Sequence, residues 1–227
     1  GTEKLASFFN SPAQLASLVL AAIMRSGKSG RVFNIPPRPA GFVQRPNETD
    51  AIVQTLVGSG DGGPGRSAVI GGAGGFGKTT LAIDVCHQPA VIAAFPDGLL
   101  WTVLGEKPDM PRVLADLHGV VTGDPPAVTG IDELGKALGR ALAGRRCLLV
   151  IDDAWRADDL SPFLGLLSQN QTLLISTRIQ NLVIQAGQSA WPEVPVDEMG
   201  PEEAAGLLGR GLVLDDSGRS TIAQLAD

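Results

Sequence analysis

Apolar and polar positions along this chain fall into blocks of two different periods. Residues 147–151 (CLLVI) and 172–176 (TLLIS) are nearly unbroken apolar runs, the pattern of strands buried on both faces of a parallel sheet. Residues 67–70 and 98–104 predict two more strands, and 194–196 a short last one. Between these runs the apolar positions recur every three or four residues. Ile131, Leu134, Leu138 and Leu142 fall on one stripe, which predicts an amphipathic helix over 131–142. Further helices are expected over 48–56, 79–87, 111–117, 158–166 and 179–186. Strands and helices alternating at these lengths predict an α/β fold, a parallel sheet with helices on both faces.

The first thirty residues follow another pattern. Leu15, Leu18, Val19, Ala22 and Ile23 share a helical face within a stretch broken at Asn10-Ser11-Pro12. Residues 1–30 therefore read as the helical tail of an upstream domain or a linker. Residues 27–38 read as linker ending in IPPRPAGF, where prolines hold the backbone extended. The longest apolar run, LASLVLAAIM at 15–24, falls well short of the about 20 residues that a bilayer span needs. No membrane association is expected.

Composition narrows the class. A hydrophobic fraction of 44 % and a mean hydropathy of +0.15 indicate a globular chain. The net charge of −6 argues against nucleic acid as a partner, and a chain with no tyrosine and few aromatics, 4 % in all, offers no stacking platform for single strands. Trp101, Trp155 and Trp191 each adjoin an expected strand and read as core packing. Acidic residues crowd the C-terminal end, with eight acids against two bases from Glu193 onward. That shift suggests a boundary near 193–200, a solvated helical face being the plainer alternative. Two cysteines, Cys86 and Cys147, suit a reducing compartment and a cytoplasmic location. His87 and His118 lack partners at metal-ligand spacing.

The chemistry concentrates in AVIGGAGGFGKTT at 68–80, where five of residues 71–77 are glycine. Gly72-Ala73-Gly74-Gly75-Phe76-Gly77-Lys78-Thr79 fits G-x-x-x-x-G-K-[ST] without exception. Bare backbone there lets successive N–H groups turn inward around an anion, and the helix that follows adds the positive end of its dipole. Lys78 is placed to reach β- and γ-phosphates, the Thr79 hydroxyl to ligate Mg²⁺, and Thr80 to contact the α-phosphate. A second Gly-Lys-Ser, in SGKSG at 26–30, is a decoy, because Ala22 stands where the first glycine is required.

LLVIDDAW at 148–155 delivers two carboxylates from the end of an apolar strand. Asp152 is expected to hold Mg²⁺ opposite Thr79, and Asp153 to orient or polarise the attacking water; a helix-capping role is the alternative. Arg178 ends LLISTR just ahead of the helix expected at 179–186. A cation is misplaced at a helix N-terminus. A γ-phosphate ligand resolves that conflict, and an arginine turned to solvent is the other possibility. Together these features predict binding of a Mg²⁺-nucleoside triphosphate.

GGAGGFGKTT, LLVIDDAW and LLISTR, in that order, resemble the NB-ARC signalling ATPases of the STAND class. FPDGLLWTVLG at 95–105 resembles that family's second-strand segment, and VPVDEMGPEEAAGLLGR at 194–210 its entry into a small helical domain. The family also has an adenine-side segment, hydrophobic-hydrophobic-Gly-Arg, matched here by FVQRP at 42–46. By that resemblance Phe42 and Val43 pack on the base and Arg45 is the arginine, with Gln44 and Pro46 departing from the pattern. The resemblance divides the chain into residues 31–66 (linker and adenine-side segment), 67–198 (P-loop nucleotide-binding domain) and 199–227 (the beginning of the helical domain). It implies an ATP/ADP switch sensed through Arg178, slow hydrolysis, homo-oligomerisation on activation, and further domains in a longer protein. A P-loop phosphotransferase acting on a small molecule or nucleotide is the alternative, and an interaction domain with a vestigial site is a third.

Overall fold

A computed structural model describes residues 31–58, 66–169, 171–198 and 200. Its centre is a six-stranded sheet: β1 (Val32–Phe33), β2 (Ala68–Gly71), β3 (Gly98–Gly105), β4 (Cys147–Ala154), β5 (Thr172–Thr177) and β6 (Glu193–Pro195). The spatial order is β1-β3-β4-β5-β2-β6, and every neighbouring pair is parallel. The helices are α1 (Pro46–Val57), α2 (Lys78–Cys86), α3 (Pro89–Ala94), α4 (Met110–Thr122), α5 (Ile131–Leu142), α6 (Ser161–Leu164) and α7 (Leu182–Gln185).

The central strands carry no polar face because both of their faces are covered. Side chains along a strand alternate between faces. Val69, Leu100, Leu149, Ile151, Leu173 and Ile175 thus pack into one core with α4, α5, Phe163 of α6 and Leu182 and Val183 of α7. Ala68, Ile70, Leu99, Trp101, Leu148, Val150 and Leu174 enter a second core with α1, α2 and Val91 of α3. This division sets the location of the site. The helix after β2 lies on one face and the helix after β5 on the other, although the two strands are neighbours. Their C-terminal ends therefore flank a topological switch point, the crevice where open α/β sheets bind ligands.

Helix boundaries follow local chemistry. Asp109 caps α4 by accepting from the Arg112 amide at 3.2 Å. That helix runs past the expected end at 117, because Val121 is buried in the first core and Gly123 supplies the left-handed residue that ends it. The helix expected at 179–186 is confined to α7. The Thr177 hydroxyl accepts from the Ile179 amide at 3.0 Å, and Asn181 adopts φ 59°, so the chain cannot turn helical until Leu182.

The helix expected at 158–166 is α only over Ser161–Leu164, with 3₁₀ turns on either side, and two elements were not expected at all. Residues 32–33, within the stretch read as linker, pair with Gly98 and Leu99 as an edge strand. Asn34 extends that pairing: its side chain accepts from the Trp101 amide at 2.7 Å and donates to the Trp101 carbonyl at 3.1 Å. Helix α3 follows α2 after a short break and was not expected. The tail over 1–30 and nearly all of the helical segment over 199–227 lie outside the described residues.

The stripe on α5 is also uneven. Leu138 is fully buried, whereas Ile131 is 41 % exposed. Leu138→Ala should therefore cost about 2–5 kcal/mol of stability, whereas Ile131→Ala should stay within about 0.5 kcal/mol; urea unfolding of both variants measures the difference.

Candidate functional site

Strand β2 ends in the glycine loop, and α2 starts at its far side. Gly72, Gly75 and Gly77 adopt φ of 149°, 87° and 88°, conformations that side-chain-bearing residues rarely take. Gly77 is the residue immediately before α2. Phe76, half-buried, packs against the second core and anchors the loop. Lys78 is buried at the start of α2, and its ammonium donates to the Ala73 carbonyl at 2.6 Å. Burial, and then the Arg178 charge, lower its pKa, while Asp153 and Asp152 oppose the shift.

Thr79 and Asp152 meet across the crevice. The Thr79 hydroxyl lies 3.1 and 3.0 Å from the two Asp152 carboxylate oxygens. Asp152 is 3 % exposed. Its pKa is raised by burial, with the Ser176 and Thr79 hydrogen bonds acting against that rise. Asp153, next in sequence, has φ 54°. A left-handed non-glycine residue is uncommon and clusters at functional sites.

Arg178 leaves the end of β5 and pairs with Asp153, Nε to Oδ1 at 3.2 Å, with its guanidinium 5.3 Å from the Trp155 ring centroid. This corrects the premise drawn from sequence. No helix begins directly after Arg178, so no dipole conflict exists there; a carboxylate and an aromatic face already accommodate the cation. Trp155 serves that contact and is only half-buried, unlike the core tryptophan Trp101.

Gly75, Gly77, Lys78, Thr79, Thr80, Asp152, Asp153, Ser176 and Arg178 line one cavity of about 380 Å³. A smaller one of about 190 Å³ adjoins it through Gly77 and Thr80, and its other walls include Phe42, Val43, Arg45 and Leu81. The first has polar, charged walls and the second is largely apolar, the division that a phosphate tail and a base require. Arg45 is 5 % exposed. It donates to the Asp197 carbonyl at 3.0 Å and pairs with Glu48 at 3.5 Å. Its Nη2 has no hydrogen-bond partner among the described residues, a buried donor in a side chain that lines the apolar cavity. Thr79 and Asp152 are hard oxygen donors, few in number, as Mg²⁺ takes when phosphates and water complete its shell.

Gly72 and Gly74 stand apart from that lining. A Cβ on Gly72 would fall on the Val196 carbonyl oxygen, and one on Gly74 would lie 2.8 Å from Arg178 Nη1. Residues not singled out from sequence also shape the site. Buried Asp84 accepts from Arg38 at 2.9 Å, Thr49 at 3.2 Å and Gln88 at 3.0 Å, fastening the proline-rich segment and α1 to α2 behind the apolar cavity. Ser176 bridges both acids. Only its place in LLISTR hinted at it.

Residues 45–212 match the family described as NB-ARC domain. The chain is 31 % identical over 202 residues to the regulatory protein AfsR of Streptomyces coelicolor, covering 85 % of this chain and 20 % of that protein. It is 28 % identical over 158 residues to the putative disease resistance protein RGA4 of Solanum bulbocastanum, covering 64 % and 16 %. The chain thus spans a fifth or less of the length of these curated relatives. Among solved structures, the Aeropyrum pernix ORC1 protein in complex with DNA superposes with a TM-score of 0.60 at 18 % identity, covering 84 % of this chain and 56 % of that one. That likeness is one of fold alone, a parallel sheet with helices on both faces.

The two outlying glycines should respond differently to alanine. Gly72→Ala meets a backbone carbonyl in a left-handed conformation and should cost about 1–3 kcal/mol. Gly74→Ala meets only the end of a flexible side chain and should be milder; thermal unfolding of the two variants side by side checks the order.

Proposed function

The chain belongs to the NB-ARC domain family and is a nucleotide-binding module; from that premise we propose that it is a Mg²⁺-dependent ATP/ADP switch with slow hydrolysis, controlling oligomerisation of a longer signalling protein. The observation that carries this reading is the meeting of Thr79 with Asp152 beside Lys78 and the Asp153–Arg178 pair, all in one cavity.

In this reading Lys78 exchanges the Ala73 carbonyl for phosphate oxygens, and the loop amides cradle the tail. Thr79 and Asp152 are the residues that would hold Mg²⁺. The bound ion supplies charge neutralisation on the phosphates. The base lies against Phe42 and Val43, with Arg45 donating to it from Nη2, and Thr80 stands at the junction between base and tail. Arg178 senses the γ-phosphate by giving up Asp153 for it, so ADP and ATP differ in which partner the guanidinium holds. That exchange is the differential interaction a switch needs. Asp153, engaged by Arg178 and shorter than glutamate, positions water weakly. Residues 1–30 and 199–227 belong, in this proposal, to an effector and to a helical domain acting as partners of the nucleotide domain in the cytoplasm. Among the described residues no helix is long and apolar enough to cross a membrane. ORC1 was solved with DNA; for this chain, with its net charge of −6, nucleic acid is not proposed as a partner. The phosphotransferase alternative needs several arginines above the phosphates, and among the described residues Arg178 is the arginine lining that cavity.

Denaturing the purified protein and weighing the released small molecules should yield ADP. Lys78→Ala should lower nucleotide affinity about 10- to 100-fold, the loss expected for charged hydrogen bonds worth about 1.5–3 kcal/mol; unchanged retention would refute the site. Steady-state turnover should stay below about 0.1 s⁻¹, the range of intrinsic nucleotide switches rather than of kinases at about 1–100 s⁻¹. A phosphate-release assay measures it.

A further inference from the structure

Strands β4 and β5 pair residue for residue from Leu148–Thr172 to Ile151–Ile175, and then the register slips so that Ala154 faces Thr177. Two residues, Asp152 and Asp153, therefore stand opposite one, Ser176. That is a β-bulge, which leaves the extra residue without a place in the ladder. Here the missing partner is a side chain. The Ser176 hydroxyl accepts from the Asp153 amide at 2.9 Å and donates to Asp152 Oδ1. Ser176 is 1 % exposed, so both bonds are made in the protein interior.

The bulge has a consequence for the acids. Consecutive residues of a regular strand point to opposite faces, which would send Asp152 and Asp153 apart. With the slip and the left-handed turn at Asp153, both carboxylates line the same cavity, Asp152 toward Thr79 and Asp153 toward Arg178. Resting on the nucleotide-binding reading above, we propose that Ser176 is a positioning residue: its hydroxyl holds the bulge, sets the separation of the two acids and aims the Asp152 carboxylate at the metal position beside Thr79. It does not itself touch phosphate.

The test titrates a fluorescent ADP analogue into wild type, Ser176→Ala and Ser176→Cys, with Mg²⁺ and with a chelator, after circular dichroism establishes folding. Both variants should weaken the Mg²⁺ dependence of binding about 10- to 100-fold, as loss of an outer-shell partner does, while chelator-condition affinity stays within about twofold. A folded variant with wild-type Mg²⁺ dependence overturns the proposal. So does a parallel loss with and without metal, which would mark Ser176 as structural only. Should the alanine variant fail to fold, the cysteine variant, whose thiol is only a weak donor and acceptor, decides. Wild type binding ADP under neither condition would remove the nucleotide reading and this inference together, whereas metal-dependent wild type beside unaffected variants removes the inference alone.

Discussion

Burying a carboxylate costs several kcal/mol unless donors surround it, and Asp152 satisfies that demand by joining three segments remote in sequence. Thr79, 73 positions away, reaches it from the first turn of α2, and Ser176, 24 positions away, from the intervening strand β5. The glycine loop is held between these attachments. Its start is tied to β6 by the Val196 amide, which donates to the Gly71 carbonyl at 2.7 Å, and its end passes directly into α2. Loop, β4 and β5 therefore keep a fixed relation at the C-terminal edge of the sheet, and a ligand bound there meets groups already in place.

The same economy shapes the two sides of the crevice. In the polar cavity both cations have a partner that an anion can replace: Lys78 the Ala73 carbonyl, Arg178 the Asp153 carboxylate. Beside the apolar cavity, Arg45 bonds the Asp197 carbonyl as the chain leaves β6. The Asp84 cluster holds Arg38, Thr49 and Gln88 behind the apolar wall. The apolar side is thus built from the segment before β2 as well as from the loop after it, whereas, among the described residues, the polar side is lined only by those after β2. The edge strand β1 and Asn34 fasten that segment to β3. The match to the NB-ARC family, which begins at residue 45, leaves out much of this wall.

Much of the molecule was readable without coordinates, because its signals are local. Continuous apolar runs at 147–151 and 172–176 specify strands with both faces covered, and the 131–142 stripe specifies a helix to its ends. Glycine where φ must be positive, followed by Lys78 and Thr79, announces a phosphate loop from spacing alone. Reading failed where the outcome hung on a partner elsewhere in the chain. Val32 and Phe33 are a strand only because Gly98 and Leu99 lie beside them. Residues 179–181 are not helical, since Thr177 takes the Ile179 amide and Asn181 turns left-handed.

Chain order likewise carries no notice that β5 inserts between β2 and β4, placing Arg178 and Ser176 between loop and acids. Nor does adjacency in sequence explain how Asp152 and Asp153 come to share a cavity, since strand geometry alone would part them. Residue types, the local periods and the loop chemistry were therefore determined by sequence. Strand order, the bulge at Asp153 and the partner of each buried charge came from packing, because a hydrogen bond between residues 24 or 73 positions apart exists only once the sheet has brought its ends together.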